Sequence, residues 1–254
     1  MKCKICQSEA SHVKTLKVRG IYDAEYYRCY ECGFMFVGNP TWLEEAYAQP
    51  INITDTGYVL RNVYLSRKTL ILFTFLFDKG ATFLDFAGGY GMLARLMRDY
   101  GLDFFCDDAY TPNLFMKGFE YKNQKIEALT CFEGFEHFVE PIDEIEKMLK
   151  ISKNIFFSTR LLPKKTPDED WEYYGVDHGQ HVSFYSDKTF IFLAKKYKLN
   201  FYTDGDNLHL FTIKNISSIF FKFVLILSKL QLDILIRKLL KSKTTSDFNM
   251  IRNI

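Results

Sequence analysis

Four cysteines come in two pairs, Cys3-Lys4-Ile5-Cys6 and Cys29-Tyr30-Glu31-Cys32, with 22 residues between the pairs. A C-x-x-C spacing lets two thiolates reach one ion from a single tight turn, and Gly33 eases the second turn. Four thiolates fill a tetrahedral shell. Cys3, Cys6, Cys29 and Cys32 are therefore expected to hold a structural zinc with no open coordination position. The second constellation is Asp85-Phe86-Ala87-Gly88-Gly89-Tyr90-Gly91. Glycines there let a ligand come close to the main chain, and a helix starting behind them offers free N–H groups. Asp107 and Asp108 end the next apolar run, and a carboxylate there can accept hydrogen bonds from both ribose hydroxyls of an adenosine.

Histidines supply the other chemistry. His137 follows Glu136, and His178 and His181 lie in Asp177-His178-Gly179-Gln180-His181. Any of these four could take or relay a proton, although His137 and Glu136 could equally pack or cap a helix. His178 and His181 could also share a metal, but no third ligand is evident from their surroundings. Trp171, Tyr173 and Tyr174 suit stacking on a sugar face as well as they suit a core. His12 and His209 stand outside any motif and read as structural, and Cys106 and Cys131 as buried core.

These residues need a scaffold of alternating strands and helices. Thr82–Phe86, Leu102–Cys106, Ala128–Phe132 and Asn154–Ser158 are short apolar runs suited to buried parallel strands. Helical spacing covers Leu60–Phe77, Met92–Tyr100, Pro141–Lys150 and Asp187–Tyr197. A short helix is expected from Trp42, with Thr41 as N-cap and Glu44 as its capping-box partner. Asn200–Tyr202 and Asn207–Ile213 read as a closing antiparallel pair. The sum is an α/β fold: a Rossmann-like, doubly wound, mostly parallel sheet with an antiparallel closing strand, a small N-terminal zinc ribbon and a C-terminal helix. The long polar and aromatic segment Leu161–Tyr185 reads as an excursion over a site.

Composition sets bounds. Hydrophobic residues make up 48% of the 254 and aromatics 17%, enough for one α/β domain and an appendage. A net charge of +2 argues against a broad nucleic-acid footprint. A surface of Arg19, Arg28, Tyr26 and Tyr27 on the ribbon is the local alternative. Paired cysteines and the lack of an apolar signal segment point to the cytoplasm. Ile216–Leu240 is the most apolar stretch, but Lys222, Lys229, Asp233, Arg237 and Lys238 interrupt it, so it is not expected to span a membrane. Packing on the domain or in a homo-oligomer is preferred for this helix. Peripheral contact with the inner face of the membrane is the competing reading. Residues 242–254 are expected to form a loose tail.

An adenosine-type cofactor could be NAD, but D-x-A-x-G-x-G differs from G-x-G-x-x-G, and its acidic residue precedes the turn. Both details favour S-adenosylmethionine. Phe83–Gly91 resembles motif I of class I methyltransferases, with Asp85, Gly89 and Gly91 matching and Ala87 standing at the usual first glycine. Leu129–His137 followed by Pro141 resembles that family's post-strand-four motif, which implies that Phe132 lines the cofactor. Trp42–Tyr47, Asp55-Thr56-Gly57 and Arg61-Asn62 resemble a bacterial subgroup with an N-terminal four-cysteine module. That resemblance implies that Arg61 reaches the cofactor's carboxylate, that the Gly-Gln-His stretch ending at His181 lies beside the substrate, and an association with surface-polysaccharide or sugar modification.

The expected organisation is a zinc module over 1–38, a helical linker and cofactor lid over 39–80, a methyltransferase core over 81–215, and a C-terminal amphipathic helix and tail over 216–254. The cofactor residues expected are Asp85, Ala87, Gly88, Gly89, Gly91, Asp107, Asp108, Phe132 and Arg61. His181, His137, His178 and Glu136 are the catalytic candidates. The leading acceptor is a small molecule or glycan, above all a sugar or nucleotide-sugar. An RNA methyltransferase gripping RNA through the ribbon, and a non-enzymatic scaffold, are the competing readings.

Overall fold

Each central strand alternates its side chains between two cores, as a strand covered on both faces must. Phe83, Ala128 and Phe156 point into one core, while Leu84, Leu129 and Phe157 point into the other. A computed structural model describes residues 1–48 and 55–253, so residues 49–54 of the expected linker and lid lie outside the described residues. The main sheet consists of β4 (Thr82–Phe86), β5 (Asp103–Asp107), β6 (Ala128–Cys131), β7 (Ile155–Ser158), β9 (Asn200–Thr203) and β10 (Leu208–Thr212), in the order β5-β4-β6-β7-β10-β9. The first four run parallel, and β10 pairs antiparallel with both β7 and β9. This is the Rossmann-like, mostly parallel sheet with an antiparallel closure.

α2 (Tyr58–Leu76) and α3 (Met92–Asp99) pack on one face of the sheet, where Phe73, Phe83, Phe104 and Phe156 meet. α4 (Pro141–Ile151) and α5 (Asp187–Tyr197) pack on the other. α4 begins with Pro141 in its first turn, where a missing N–H costs nothing. α5 begins with a capping box made by Ser186 and Thr189. α1 (Leu43–Ala46) starts at Trp42, and no side chain caps it. The expected Thr41 cap is absent because Trp42 is drawn inward: it is 2% exposed and its indole N–H donates to Gly179 O at 2.7 Å.

The N-terminal module is a meander of β1 (Ser11–Val18), β2 (Tyr22–Arg28) and β3 (Met35–Val37). Its sheet gains a fourth strand, β8 (Ser183–Phe184), from the far excursion. The module also shares a core with the main domain, as Phe34, Phe36 and Cys29 cluster with Phe135, Phe157 and Phe190. The ribbon surface considered for nucleic acid does not exist as such. Tyr26 is fully buried, and Arg28 is buried with its guanidinium donating to Thr166 Oγ1, Pro163 O and Lys164 O.

The C-terminus also departs from expectation. Instead of one helix and a loose tail there are α6 (Ser218–Leu227), α7 (Leu232–Leu239) and α8 (Thr244–Arg252). The break falls at Gln231, whose backbone is left-handed. α6 and α7 pack on α2, where the buried Lys68 ammonium donates to Leu225 O. The charged residues that interrupt this stretch are not all solvated, since Asp233 is fully buried and paired with Arg237. α8 is held by Asp247, which accepts from Arg98 at 2.8 and 2.7 Å and pairs with Arg95. Among the described residues no helix is long and apolar enough to cross a membrane.

Candidate active site

The glycine-rich turn links β4 to α3 and is shaped from below. Asp85, at 3% exposure, accepts from Thr130 Oγ1 at 2.7 Å. A Cβ on Gly88 would stand 2.6 Å from Asp85 Oδ2, so only glycine lets the turn lie this close over the carboxylate. Burial pushes the Asp85 carboxyl up to about 7, against the hydrogen bond from Thr130, which lowers it. Ala87 occupies the left-handed region at φ 54°, which explains why glycine is the commoner residue of the resembled motif there.

The two aspartates after β5 do different things. The Asp108 carboxylate accepts from three backbone N–H groups, those of Gly89 at 2.8 Å, Tyr110 at 2.9 Å and Thr111 at 2.7 Å. It braces the turn and its own loop. Asp107 is the last residue of β5, and its carboxylate is exposed and makes no hydrogen bond among the described residues. Its carboxyl is raised by partial burial and by the neighbouring Asp108.

Across the cavity, a 3₁₀ turn over Phe135–His137 is fastened to β8 and the residues before it. Val182 N–H donates to Glu136 O at 2.8 Å, and Ser183 Oγ donates to Phe138 O at 2.6 Å. α1 is tied to the same loop by Trp42 and by Gln180 Nε2, which donates to Ala46 O at 2.8 Å. These ties bring together residues more than forty positions apart. The His137 and His181 rings meet edge to face at 5.2 Å, and those of His178 and His181 at 4.8 Å.

The tautomers follow from the partners. His137 Nδ1 faces Gln180 O at 3.1 Å and His181 Nδ1 faces Tyr173 O at 2.7 Å. A carbonyl only accepts, so each histidine carries its proton on Nδ1 and keeps a lone pair on Nε2. Tyr47 OH lies 2.9 Å from the same His137 Nδ1, so this tautomer of His137 holds with Tyr47 as a second acceptor there, and a donating Tyr47 would reverse it. His178 has the opposite tautomer, because its Nδ1 accepts from Gln180 N–H. Burial depresses His137 to about 4, with a lesser contribution from His178, and holds His181 well below its usual value. Both are neutral at pH 7. Glu136 is fully buried, and among the described residues no hydrogen bond of ordinary length reaches its oxygens; burial pushes it up to about 8, against the nearby Tyr173 and Thr159 hydroxyls, which lower it.

One cavity of about 1390 Å³ gathers nearly all of this. Asp85, Ala87, Gly88, Gly89, Asp107, Asp108, Phe132 and Arg61 line it together with Glu136, His137, His178 and His181. Gly91 does not. It begins α3 with a left-handed backbone and backs onto Met116, which a Cβ would approach to 2.8 Å. Arg61 reaches the cavity with its fork engaged by Asp55, at 3.0 and 2.7 Å. Residues that the sequence did not single out are Tyr47, Tyr58 and Arg160. Tyr58 could have been found from its place at the start of α2, facing the turn. Tyr47 closes the Trp42–Tyr47 stretch that carries the subgroup resemblance, which assigns it no role, and Arg160 carries no sequence signal.

The four N-terminal cysteines converge as their spacing requires. Their sulfurs lie within 4.8 Å of one another, with Cys3 to Cys32 at 3.5 Å and Cys6 to Cys29 at 3.4 Å. The two turns are built alike. Gln7 N–H donates to Cys3 O and Gly33 N–H to Cys29 O, and both Gln7 and Gly33 are left-handed. Four thiols on matched turns fit a tetrahedral ion. None of the four cysteines lines the cavity, as befits a structural site.

A methyltransferase-domain family model matches residues 60–203, more than half of the chain. No curated protein matches this chain in sequence. Among solved structures the chain is similar to OxaC, at 14% identity and a TM-score of 0.39 over 54% of this chain. It spans only 43% of the length of OxaC. It is also similar to the plantazolicin methyltransferase BpumL in complex with SAH (14% identity, TM-score 0.48, 77% of this chain and 89% of that one). The Mitomycin 7-O-methyltransferase MmcR matches at 12% identity and a TM-score of 0.43, over 67% of this chain and 60% of that one. With its glycine-rich turn, its acid-tipped second strand and the family match across its core, this chain belongs to the methyltransferase-domain family.

Proposed function

We propose that the chain is an S-adenosylmethionine-dependent methyltransferase acting on a small molecule or glycan, with a sugar or nucleotide-sugar as the leading acceptor. The observation that carries this reading is the single cavity, in which the turn over Asp85 and the free carboxylate of Asp107 face Glu136, His137 and His181. The residues present fit the cofactor: Asp107 is a free acceptor for the ribose hydroxyls, Gly88 and Gly89 open the main chain, and Phe132 offers an apolar wall. The cofactor supplies an electrophilic methyl group on a sulfonium. The protein's part is to hold the acceptor in line and to take its proton. His137 and His181, neutral at pH 7, each present an Nε2 lone pair to the cavity that can take the acceptor's proton or hold an ion, but not both at once. His178, Tyr173 and Arg160 complete the polar wall.

Zinc is proposed for Cys3, Cys6, Cys29 and Cys32, with a structural role in welding β1–β3 to the core. Two of the four residues weighed for an RNA surface, Arg28 and Tyr26, are buried, which counts against the RNA reading. Incubating the zinc-loaded protein and methyl-labelled cofactor with sugar nucleotides, glycan extracts and RNA tests the acceptor class. Label is expected in the sugar or glycan fraction, and label in RNA alone would overturn that choice.

A further inference from the structure

We infer that Glu136, His137 and His181 form a second metal site, for a divalent first-row transition ion, inside the cavity. One ligand atom from each of the three lies within 4.8 Å of the others. The sequence offered no third ligand for a histidine pair, because it suggested the wrong pair: His178 and His181. His178 is excluded as a ligand by its tautomer, for the Gln180 N–H occupies its Nδ1 and leaves a proton on Nε2. His137 takes its place, and Glu136 is the third ligand.

Three independent features point to an ion. Both histidines donate Nδ1–H to backbone carbonyls, Gln180 O and Tyr173 O, which fixes ring orientation and leaves Nε2 with its lone pair. That is the outer-shell arrangement that metal-binding histidines use. The Glu136 side chain is fully buried, and among the described residues neither oxygen has a hydrogen bond of ordinary length, although the Tyr173 and Thr159 hydroxyls lie near it; a cation would relieve that state. The two rings already meet edge to face, with 5.2 Å between their centroids. Ligand atoms held at about 2.0–2.2 Å from one ion stand roughly 3–3.5 Å apart, so loading draws the three inward by about an ångström.

Two nitrogens and one carboxylate leave coordination positions open, unlike the closed four-cysteine set. The open positions face the cavity and suit an oxygen of the methyl acceptor. Only that last assignment rests on the methyltransferase reading; the ion itself does not.

The test is titration of the full-length, zinc-loaded protein with Co(II) alone, read by absorbance and calorimetry. One further equivalent is expected, with visible d–d bands but no near-ultraviolet thiolate charge transfer, which would mark exchange at the cysteines. Glu136→Gln and His181→Gln should each weaken this equivalent about 100-fold or abolish it, while the cysteine-bound zinc stays in place and reports an intact fold. No second equivalent, or one that binds unchanged to the Glu136→Gln/His181→Gln double variant, overturns the site. S-adenosylmethionine binding is measured on the same samples. Cofactor binding without the second ion overturns the metal site alone, and the second ion without cofactor binding supports the site and counts against the methyltransferase reading.

Discussion

The Asp108 carboxylate accepts the Gly89 N–H at 2.8 Å, bridging two loops that are 19 residues apart in sequence. Asp108 is thereby a brace for the glycine-rich turn, and the neighbouring Asp107 is left to meet a ligand. The two aspartates should separate experimentally. Asp107→Ala is expected to weaken S-adenosylmethionine binding by 10-fold or more with the melting temperature unchanged. Asp108→Ala should cost roughly 1–3 kcal/mol of stability from the orphaned N–H groups, and lose affinity as a consequence. Equal thermal loss in both variants would contradict this division.

Asp85 makes the apo protein less stable as pH rises from about 4 to about 7. Its folded carboxyl sits at about 7, above its ordinary value of 3.8, because of burial. Below pH 4 it is protonated in both states and costs nothing. As pH rises towards 7 the unfolded chain sheds the proton first, so folding is progressively disfavoured. Asp85→Asn should therefore stabilise the apo protein at pH 8 by on the order of 2–4 kcal/mol, the gain fading below pH 4. Denaturant melts of both proteins across pH 4–8 would show this. A gain that does not change with pH counts against the assignment.

The C-terminal helix depends on one buried ion pair. Burial alone would raise the Asp247 carboxyl, but its bonds to Arg98 and Arg95 more than offset that and hold it below the usual range. The contribution is present above the ordinary carboxyl value and is lost as pH falls through the depressed one. At neutral pH Asp247→Asn should cost about 2–4 kcal/mol, since it leaves Arg98 short of a partner at 4% exposure. Amide exchange should show α8 released. Unchanged protection over Thr244–Arg252 would be the contrary result.

The cysteine module should not melt by itself. Cys3, Cys29 and Cys32 share a core with Phe135, Phe157 and Phe190, and β3 pairs with β8 from the excursion. Chelating the proposed zinc should lower the melting temperature of the whole chain in a single transition. A separate early transition, with the main melt unmoved, would mean that the module is independent.

The parts legible in the sequence were those with period or spacing. The runs at Thr82–Phe86 and Ala128–Phe132 became β4 and β6 because apolar residues buried on both sides leave few alternatives. The two C-x-x-C pairs met because each turn is local. What could not be read depended on side-chain direction or on contacts across the chain. Asp107 and Asp108 look equivalent in sequence, but neighbouring residues at a strand end point opposite ways. α8 is polar along most of its length, and its one buried residue is the charged Asp247. The break at Gln231 is a left-handed residue with no glycine to announce it. The Glu136, His137 and His181 cluster is assembled across the chain, by Val182 N–H to Glu136 O, Ser183 Oγ to Phe138 O and His137 Nδ1 against Gln180 O.

The central claim is that the cavity over Asp85 binds S-adenosylmethionine. Calorimetric titration of the zinc-loaded, full-length protein with S-adenosylmethionine tests it most directly. The expected result is one saturable site per chain, lost in Asp107→Ala. Absence of binding to the folded, zinc-loaded protein would contradict it.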